Sequence, residues 1–416
     1  MNVLIIGSGG REHALAWKIK QSPLLTALHA IPGSAAIAEL AKCPPIGQDD
    51  FEKIYLYCSE HKIDLVVVGP EVPLSRGISD FLSAKGVKVF GPSRQGARLE
   101  ASKQYAKEFM HRNRLPTAAF SVLVSPAFAR EKVKQNKKYP VVIKADGLAA
   151  GKGVRICMNE AQALEAVEDF MEKRIFGFSG SKVILEEFME GREASVMALV
   201  DGKSFLMLPV SRDHKRLSDG DAGPNTGGMG AIAPLPLEPQ VLETIRKDIL
   251  QPFVDGIKKE NIPFCGVIYA GLMLTADGPK LLEFNTRFGD PETQALMPVI
   301  KSDLLELLAA CADGRLEEMT LETNTGECAA VVLSAGGYPE NPEKGKEITG
   351  LGQVPDGVEI FQSGTDISGG KTITAGGRVL AVTARAPTLA QAREKVYSAV
   401  KAIKFEGMHY RTDIGL

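Results

Sequence analysis

The stretch Lys144-Ala-Asp-Gly-Leu-Ala-Ala-Gly-Lys-Gly-Val154 decides how this chain is to be read. It follows the apolar run YPVVI, so Lys144 ends a strand at a position where a charged side chain needs a reason. Lys152 lies in a loop that also carries Gly147, Gly151 and Gly153. Two cations and several unencumbered backbone N–H groups suit a polyphosphate, and the glycines let the chain approach it closely. A Walker A loop is excluded because Gly153, not Ser or Thr, follows Lys152. A surface hairpin with incidental lysines is the competing reading.

Working outward, Thr117 to Glu187 alternates strand, helix (PAFAREKVKQN), strand, glycine loop, strand (VRIC), helix (EAQALEAVEDFMEK) and strand (KVILEEF). A unit of that size, with its loop between two strands, can act as a lid. The last strand stops at Glu186 and Glu187, which point to opposite faces if it is regular. Extended backbone beyond it can offer N–H and C=O groups to an adenine edge. Phe188 would then cover the ring, and Glu190 or Glu193 would take ribose hydroxyls; a solvated acidic turn is the alternative.

Farther on, VIYAGLMLT and KLLEFN flank Ala276-Asp277-Gly278-Pro279, which predicts a β-hairpin in an antiparallel sheet. Glu283 and Asn285, two residues apart, share one face of the second strand, with Leu282 and Phe284 on the other. Two hard oxygen donors beside a polyphosphate are what Mg²⁺ takes, its other positions being held by water and phosphate. Arg287, Asp290 and Glu292 follow in a densely charged loop. Upstream, Asp213, His214, Lys215 and Arg216 precede the flexible run Gly223 to Gly230, which can close over phosphate and exclude water. His214, alone among cations, reads as a packing residue before a general base.

The amino-terminal part, from Asn2 to Ser93, alternates apolar runs (VLIIG, ALHAI, DLVVVGPE, VKVFGPS) with amphipathic stretches, the rhythm of βα units on a parallel sheet. Gly7-Ser8-Gly9-Gly10 would turn N–H groups toward an anion at a helix start. It is defective as a dinucleotide fingerprint, since Glu12 stands where the third glycine belongs, so a substrate phosphate or sugar site is preferred to NAD or a plain turn. Residues 94–113 have helical character, and the segment from Gly326 to Leu416 reads as a small α+β tail. The expected division is 1–100, 101–325 with the lid 117–187 inside it, and 326–416.

Composition sets the outer bounds. A chain of 416 residues exceeds one ordinary core, and 44% hydrophobic with 24% charged residues is the profile of a soluble globular enzyme. Lys plus Arg (49) nearly balance Asp plus Glu (51), so no net field favours nucleic acid or a membrane. The six cysteines form no CxxC pair and have no His at zinc spacing. MNVLIIGSGGREHA reads as a first strand and not a signal peptide, and no run reaches the roughly 18 apolar residues of a membrane span. A cytoplasmic monomer with small-molecule partners is the expectation.

Taken in order, GSGGREHALAWK (7–18), VGPEVPL (68–74), KADGLAAGKGV (144–154), EEFMEGREAS (186–195), DHKR (213–216), GPNTGGMGA (223–231), YAGLM (269–273) and RFGDPETQ (287–294) resemble the ATP-grasp superfamily. Within it they are similar to the phosphoribosylamine–glycine ligase family, along the whole chain. The resemblance implies a multidomain α/β and α+β protein: a Rossmann-like N-terminal domain, ATP-grasp lid and central domains, and a small α+β C-terminal domain. It implies that ATP, glycine and 5-phosphoribosylamine give glycinamide ribonucleotide, ADP and phosphate in purine biosynthesis. Lys103, Lys144 and Lys152 would contact ATP phosphates, with Glu186, Glu187, Phe188, Met189 and Glu193 around adenosine and Glu283 and Asn285 on Mg²⁺ or Mn²⁺. Asp213 and Arg287 would take glycine; they and the lysines Lys144 and Lys152 form the implied catalytic set. Gly9, Gly10, Arg11, Glu12, Glu71 and Asp290 would meet phosphoribosylamine, and Lys215 and Gly289 complete the substrate set. Pro32 to Ala36 departs from the PGNxG frequent in the family, so that loop is left out. Another ATP-grasp ligase or transferase on a purine precursor, an oxidoreductase, and a nucleotide-sensing module without turnover are the alternatives.

Overall fold

A computed structural model describes residues 1–148 and 153–416 of the chain. Lys152 and Gly151 therefore lie outside the described residues. The four apolar runs of the first hundred residues are parallel strands in the order Ala27–Pro32, Asn2–Gly7, Leu65–Val68, Val89–Phe90. Leu4, Ile5, Ile6, Val66 and Val67 are buried on both faces, which is why these strands read as continuous apolar runs rather than alternating ones. Strand order reverses between Asn2–Gly7 and Leu65–Val68. Ligands of open parallel sheets bind outside the carboxyl ends of strands at such a reversal, and Arg11 and Glu71 stand just beyond those two ends.

Residues 94–113 are two helices, Arg94–Ala101 and Lys103–Arg112, broken at Ser102. The Ser102 hydroxyl accepts the Tyr105 N–H at 3.1 Å and caps the second helix. Asp146, from the motif that opened the sequence reading, accepts the Ser102 hydroxyl at 2.9 Å and the Gln104 N–H at 3.1 Å. This carboxylate ties the glycine loop to a helix start.

Between Phe120 and Glu187 four antiparallel strands lie in the order Phe120–Leu123, Val183–Glu187, Val141–Ala145, Val154–Cys157, backed by Pro126–Gln135 and Glu160–Val167. Leu123, Val133, Ile143, Phe170 and Val183 form a core of their own here, separate from the others. The central sheet is antiparallel, in the order Phe205–Met207, Arg192–Val200, Gly266–Thr275, Gly278–Asn285. Its last two strands are the expected hairpin.

One expectation needs correction. Gly271 pairs with Glu283 but Leu272 pairs with Leu281, so the strand Gly278–Asn285 bulges at Leu282. The extra residue breaks strict alternation: Leu281 and Phe284 enter the core, whereas Leu282 does not and lines the cleft described below. The sheet of the tail also takes in strands from outside 326–416. Its order is Arg212–Asp213, Gly230–Ala233, Glu327–Ser334, Arg378–Ala386, Val358–Gln362, so two strands come from far upstream. Ala231 and Ala233 are small and apolar enough to pack against the tail, and one core runs from Val3 and Ile5 through Leu199 and Tyr269 to Ala330 and Val332. Among the described residues, no helix is long and apolar enough to cross a membrane.

Candidate active site

A cleft of about 960 Å³ opens where the first sheet, the lid strands, the central sheet and the tail meet. Of the residues singled out in the sequence, Arg11, Glu71, Lys103, Lys144, Gly153, Glu186, Glu187, Phe188, Met189, Glu193, Asp213, Lys215, Glu283, Asn285, Arg287 and Asp290 line it. Gly9, Gly10, Glu12, Gly147 and Gly289 are not among the lining residues.

At the lid end, Lys144 Nζ donates to Leu282 O at 3.0 Å, so a lysine of the lid sheet touches the central strand one residue before Glu283. Glu186 Oε2 lies 2.9 Å from Lys144 Nζ and 2.9 Å from Lys107 Nζ, and all three side chains are almost fully buried. Lys107 also donates to Thr117 Oγ1 at 2.7 Å, whose hydroxyl donates to Leu281 O at 2.7 Å. Burial lowers the Lys107 ammonium to about 8 even with Glu186 pulling it back up. The other oxygen of Glu186 is buried without a partner. Lys103 Nζ donates to Gly147 O at 3.3 Å, bringing the glycine loop to the helix Lys103–Arg112.

Glu283 and Asn285 face the same cleft. Burial drives the Glu283 carboxyl up, but Lys215, Lys103, Lys144 and Arg287 together outweigh it and hold the group at about 2. Lys215 Nζ sits 3.3 Å from Glu193 Oε2 and 4.0 Å from Glu283 Oε1. Burial opposes the charge of Lys215, and Glu193 and Glu283 overcome it, pushing the ammonium well up. Among the described residues no group of three His, Cys, Asp or Glu side chains could hold a metal alone. An ionised carboxylate and an amide oxygen lining one cleft, with Lys103, Lys144 and Lys215 nearby for phosphate, fit a Mg²⁺ ion that keeps water and phosphate ligands, and do not fit an all-protein cage.

The opposite end is a mesh of carboxylates and guanidinium groups. Arg287 lies 3.0 Å from Glu100 and 3.6 Å from Glu71, which keep it charged against the cost of burial. Asp290 accepts from Gln294 at 2.9 Å and pairs with Arg378 at 3.4 Å; burial pushes its carboxyl up, but Arg378 and Arg11 bring it below its usual value. Asp213 differs, since its Oδ1 is buried with no hydrogen-bond partner. Burial, then the nearby Glu292, raise its carboxyl well above the ordinary range. Tyr269 Oη donates to Glu292 Oε1 at 2.5 Å and lies 2.8 Å from Ser195 Oγ. Among the described residues Asp213 Oδ1 thus has no hydrogen-bond partner, although Lys215 and Arg378 stand near enough to favour its charge.

The glycines of the first turn, expected to cradle an anion, make room for a side chain of the chain itself. A Cβ on Gly9 would lie 2.9 Å from Glu12 Oε2, and Cβ atoms on Gly7 and Gly69 would collide with the same side chain. Glu12 is buried there, accepts the Gly9 N–H at 2.7 Å and pairs with Arg11 at 2.6 Å. The chain's own carboxylate occupies the helix start, in the manner of a capping box. Arg11 Nη1 meanwhile donates to Phe288 O at 3.1 Å, tying this turn to the RFGD segment.

His214 is buried, its Nε2 lying 3.1 Å from Arg212 Nη2 and accepting the Gly415 N–H at 3.3 Å. Burial, with Arg212 and Arg411, lowers it to about 4, so it is neutral at physiological pH. Changing His214 to Gln should leave kcat within about threefold; a working general base contributes roughly a hundredfold or more, so a loss of that size would give His214 a chemical role.

Glu100, Lys107 and Arg378 also line the cleft and went unnoticed in the sequence, and Tyr269, quoted there only within YAGLM, lines it too. Lys107 had a readable signal: Lys103, Ala106, Lys107 and Met110 follow the i, i+3, i+4, i+7 pattern of one helix face, and all four line the cleft. Glu100 sits on the buried face of its helix beside Leu99. Arg378 had no such signal, being the first residue of an ordinary-looking strand.

The sequence matches the family description "Phosphoribosylglycinamide synthetase, N domain" over residues 1–100, its ATP-grasp (A) domain over 101–293 and its C domain over 328–416. A phosphoribosylamine–glycine ligase of Brucella melitensis biotype 1 is 47% identical, the match covering 100% of this chain and 97% of that one. The trifunctional purine biosynthetic protein adenosine-3 of Gallus gallus is 46% identical over 99% of this chain and 42% of its own length. Among solved structures, phosphoribosylamine–glycine ligase of Thermotoga maritima superposes with a TM-score of 0.88 at 37% identity, covering 100% of both chains. The biotin carboxylase domain of Hydrogenobacter thermophilus 2-oxoglutarate carboxylase, in complex with MgADP, shares the fold, with a TM-score of 0.74 at 19% identity over 98% of this chain and 91% of that one.

Proposed function

Because the chain belongs to the phosphoribosylglycinamide synthetase family, we propose that it is an ATP-dependent carbon–nitrogen ligase that joins glycine to 5-phosphoribosylamine. One observation carries the reading at the level of chemistry: the hydrogen bond from Lys144 to Leu282 O brings a lid cation beside the oxygen pair of the central strand. A polyphosphate between them meets cations on one side and an ionised acid, able to share a divalent metal, on the other.

Adenosine lies against Glu187, Phe188 and Met189, with Glu193 toward the ribose, and the phosphates extend past Lys103 and Lys144. Glu283 and Asn285 would hold Mg²⁺, or Mn²⁺ in its place, and the ion would supply charge neutralisation at the phosphates. Glycine's ammonium donates to the oxygen of Asp213 that has no partner among the described residues, and Arg287, kept charged by Glu100 and Glu71, faces its carboxylate. That carboxylate attacks the γ-phosphorus, releasing ADP and forming glycyl phosphate; the amine of phosphoribosylamine then attacks the acyl carbon, expels phosphate and loses a proton. These residues act by positioning and by charge neutralisation. Arg11, Glu71 and Asp290 meet the sugar phosphate substrate, with Gly9, Gly10 and Gly289 beside them in the chain.

Residues 117–187 act as a lid, a reading supported by the separate core of the strands and helices within them. Closure excludes water from glycyl phosphate, which would otherwise hydrolyse. ADP release measured with each substrate omitted in turn tests the whole scheme. Sustained release is expected only when glycine and phosphoribosylamine are both present; equal release with either one missing, or with bicarbonate or formate in place of glycine, would rule the reaction out.

A further inference from the structure

Arg378 begins the strand Arg378–Ala386 of the tail's sheet, yet its guanidinium lies in the cleft. Nη1 donates to Gly227 O at 2.5 Å and to Asp290 O at 2.7 Å, and Nη2 lies 3.4 Å from Asp290 Oδ1. Gly227 packs flat on the group: a Cβ there would lie 3.0 Å from Arg378 Cζ. The Gly227 N–H donates in turn to Tyr338 Oη at 2.9 Å, so two tail residues hold the two peptide groups on either side of Gly227 in the glycine-rich loop.

The next residue explains what the grip does. Gly228 has φ 112°, and a Cβ on it would stand 2.6 Å from Asp213 Oδ1 and collide with Pro291. The loop at 227–228 and the segment at 290–291 therefore pack together against the unpartnered oxygen of Asp213, and Arg378 is the side chain bonded to both. Burial works against its charge, and Asp290, Tyr338, Asp213 and Glu292, all at this end of the cleft, outweigh that. The phosphate end is fastened by other groups, through Lys144 on Leu282 O and Lys103 on Gly147 O.

We infer that Arg378 is a positioning residue for the half of the site that receives the amino acid and the sugar amine, so that the C-terminal tail helps to build that half. This rests on the proposed reaction. Its mode of action is geometric. Three acceptors (two carbonyls and a carboxylate) are held by one planar fork, which a lysine's single ammonium cannot reproduce.

The test compares the wild type with Arg378→Met, Arg378→Lys and Tyr338→Phe in the full chain, by steady-state kinetics for each substrate and by calorimetric ATP binding. Both Arg378 variants should raise KM for glycine and for phosphoribosylamine roughly tenfold or more, because charge-assisted hydrogen bonds are lost, with KM and Kd for ATP within about twofold. Tyr338→Phe should shift the same two constants by a smaller factor. Rescue by Arg378→Lys would overturn the inference, since charge alone would then suffice. A parallel rise in KM for ATP, tracking a fall in Tm, would overturn it as well by reducing Arg378 to a general structural role. Should Arg378→Met fail to fold, Arg378→Lys and Tyr338→Phe still read the same loop. An error in the assigned reaction would appear separately, as absence of turnover by the wild type with these substrates.

Discussion

Replacing Glu283 by Gln is expected to cut ADP release roughly a thousandfold or more, which is the several kcal/mol that a bound metal contributes to phosphoryl chemistry. Glu283 is the acid of the proposed metal pair, and four cations hold it ionised at about 2, far below any working pH. The glutamine keeps the shape and one neutral oxygen but removes the charge that competes with water for Mg²⁺. Binding of ATP without metal should not weaken, because Lys215, Lys103, Lys144 and Arg287 then face the phosphates with one acid fewer. Lys215 keeps Glu193 at 3.3 Å, so the fold has no new uncompensated charge. Metal titration with Mn²⁺, followed by paramagnetic resonance, reads affinity apart from turnover. Activity within tenfold of the parent at saturating metal would remove Glu283 from the metal site.

The second large effect is on stability. Glu186 is the only carboxylate bridging Lys107 and Lys144 in the described contacts, at 2.9 Å from each. Glu186→Leu leaves two buried ammonium groups facing one another, and breaking a buried pair from one side costs about 3–5 kcal/mol. The loss should appear at the seam between lid strands and central sheet, since the lid strands have a separate core and their attachment here runs through Lys144 to Leu282 O and Thr117 to Leu281 O. Denaturant unfolding is expected to separate into two transitions, and adding Lys107→Met should recover most of the loss by removing the surplus charge. A single transition within about 1 kcal/mol of the parent would show the triad to be energetically idle. The parent carries a pH signature too. Lys107 titrates at about 8 when folded and at its ordinary 10.5 when unfolded, so between those values the unfolded chain holds the extra proton and stability contributed by this group rises with pH.

Much of the architecture was legible because it rests on short-range rules. The runs VLIIG, ALHAI and LVVVG became parallel strands since uninterrupted apolar side chains can be buried only with both faces covered. The hairpin around Asp277 followed from its turn residues, and Glu283 with Asn285 shared the cleft as their spacing required. Leu282 escaped the same rule because a bulge depends on the partner strand's register, which no local pattern encodes.

What the sequence determined by itself is the order of strands and helices and the presence of a polyphosphate-binding chemistry: periodicity and turn geometry act over a few residues and are written in consecutive letters. The tertiary structure alone decided who neutralises whom. Glu12 fills the glycine turn, Asp146 caps a helix, Glu186 sits between Lys107 and Lys144, and Arg378 crosses from the tail to Asp290. Buried charge is tolerated only beside its partner, and distant partners meet only when separate segments pack in register.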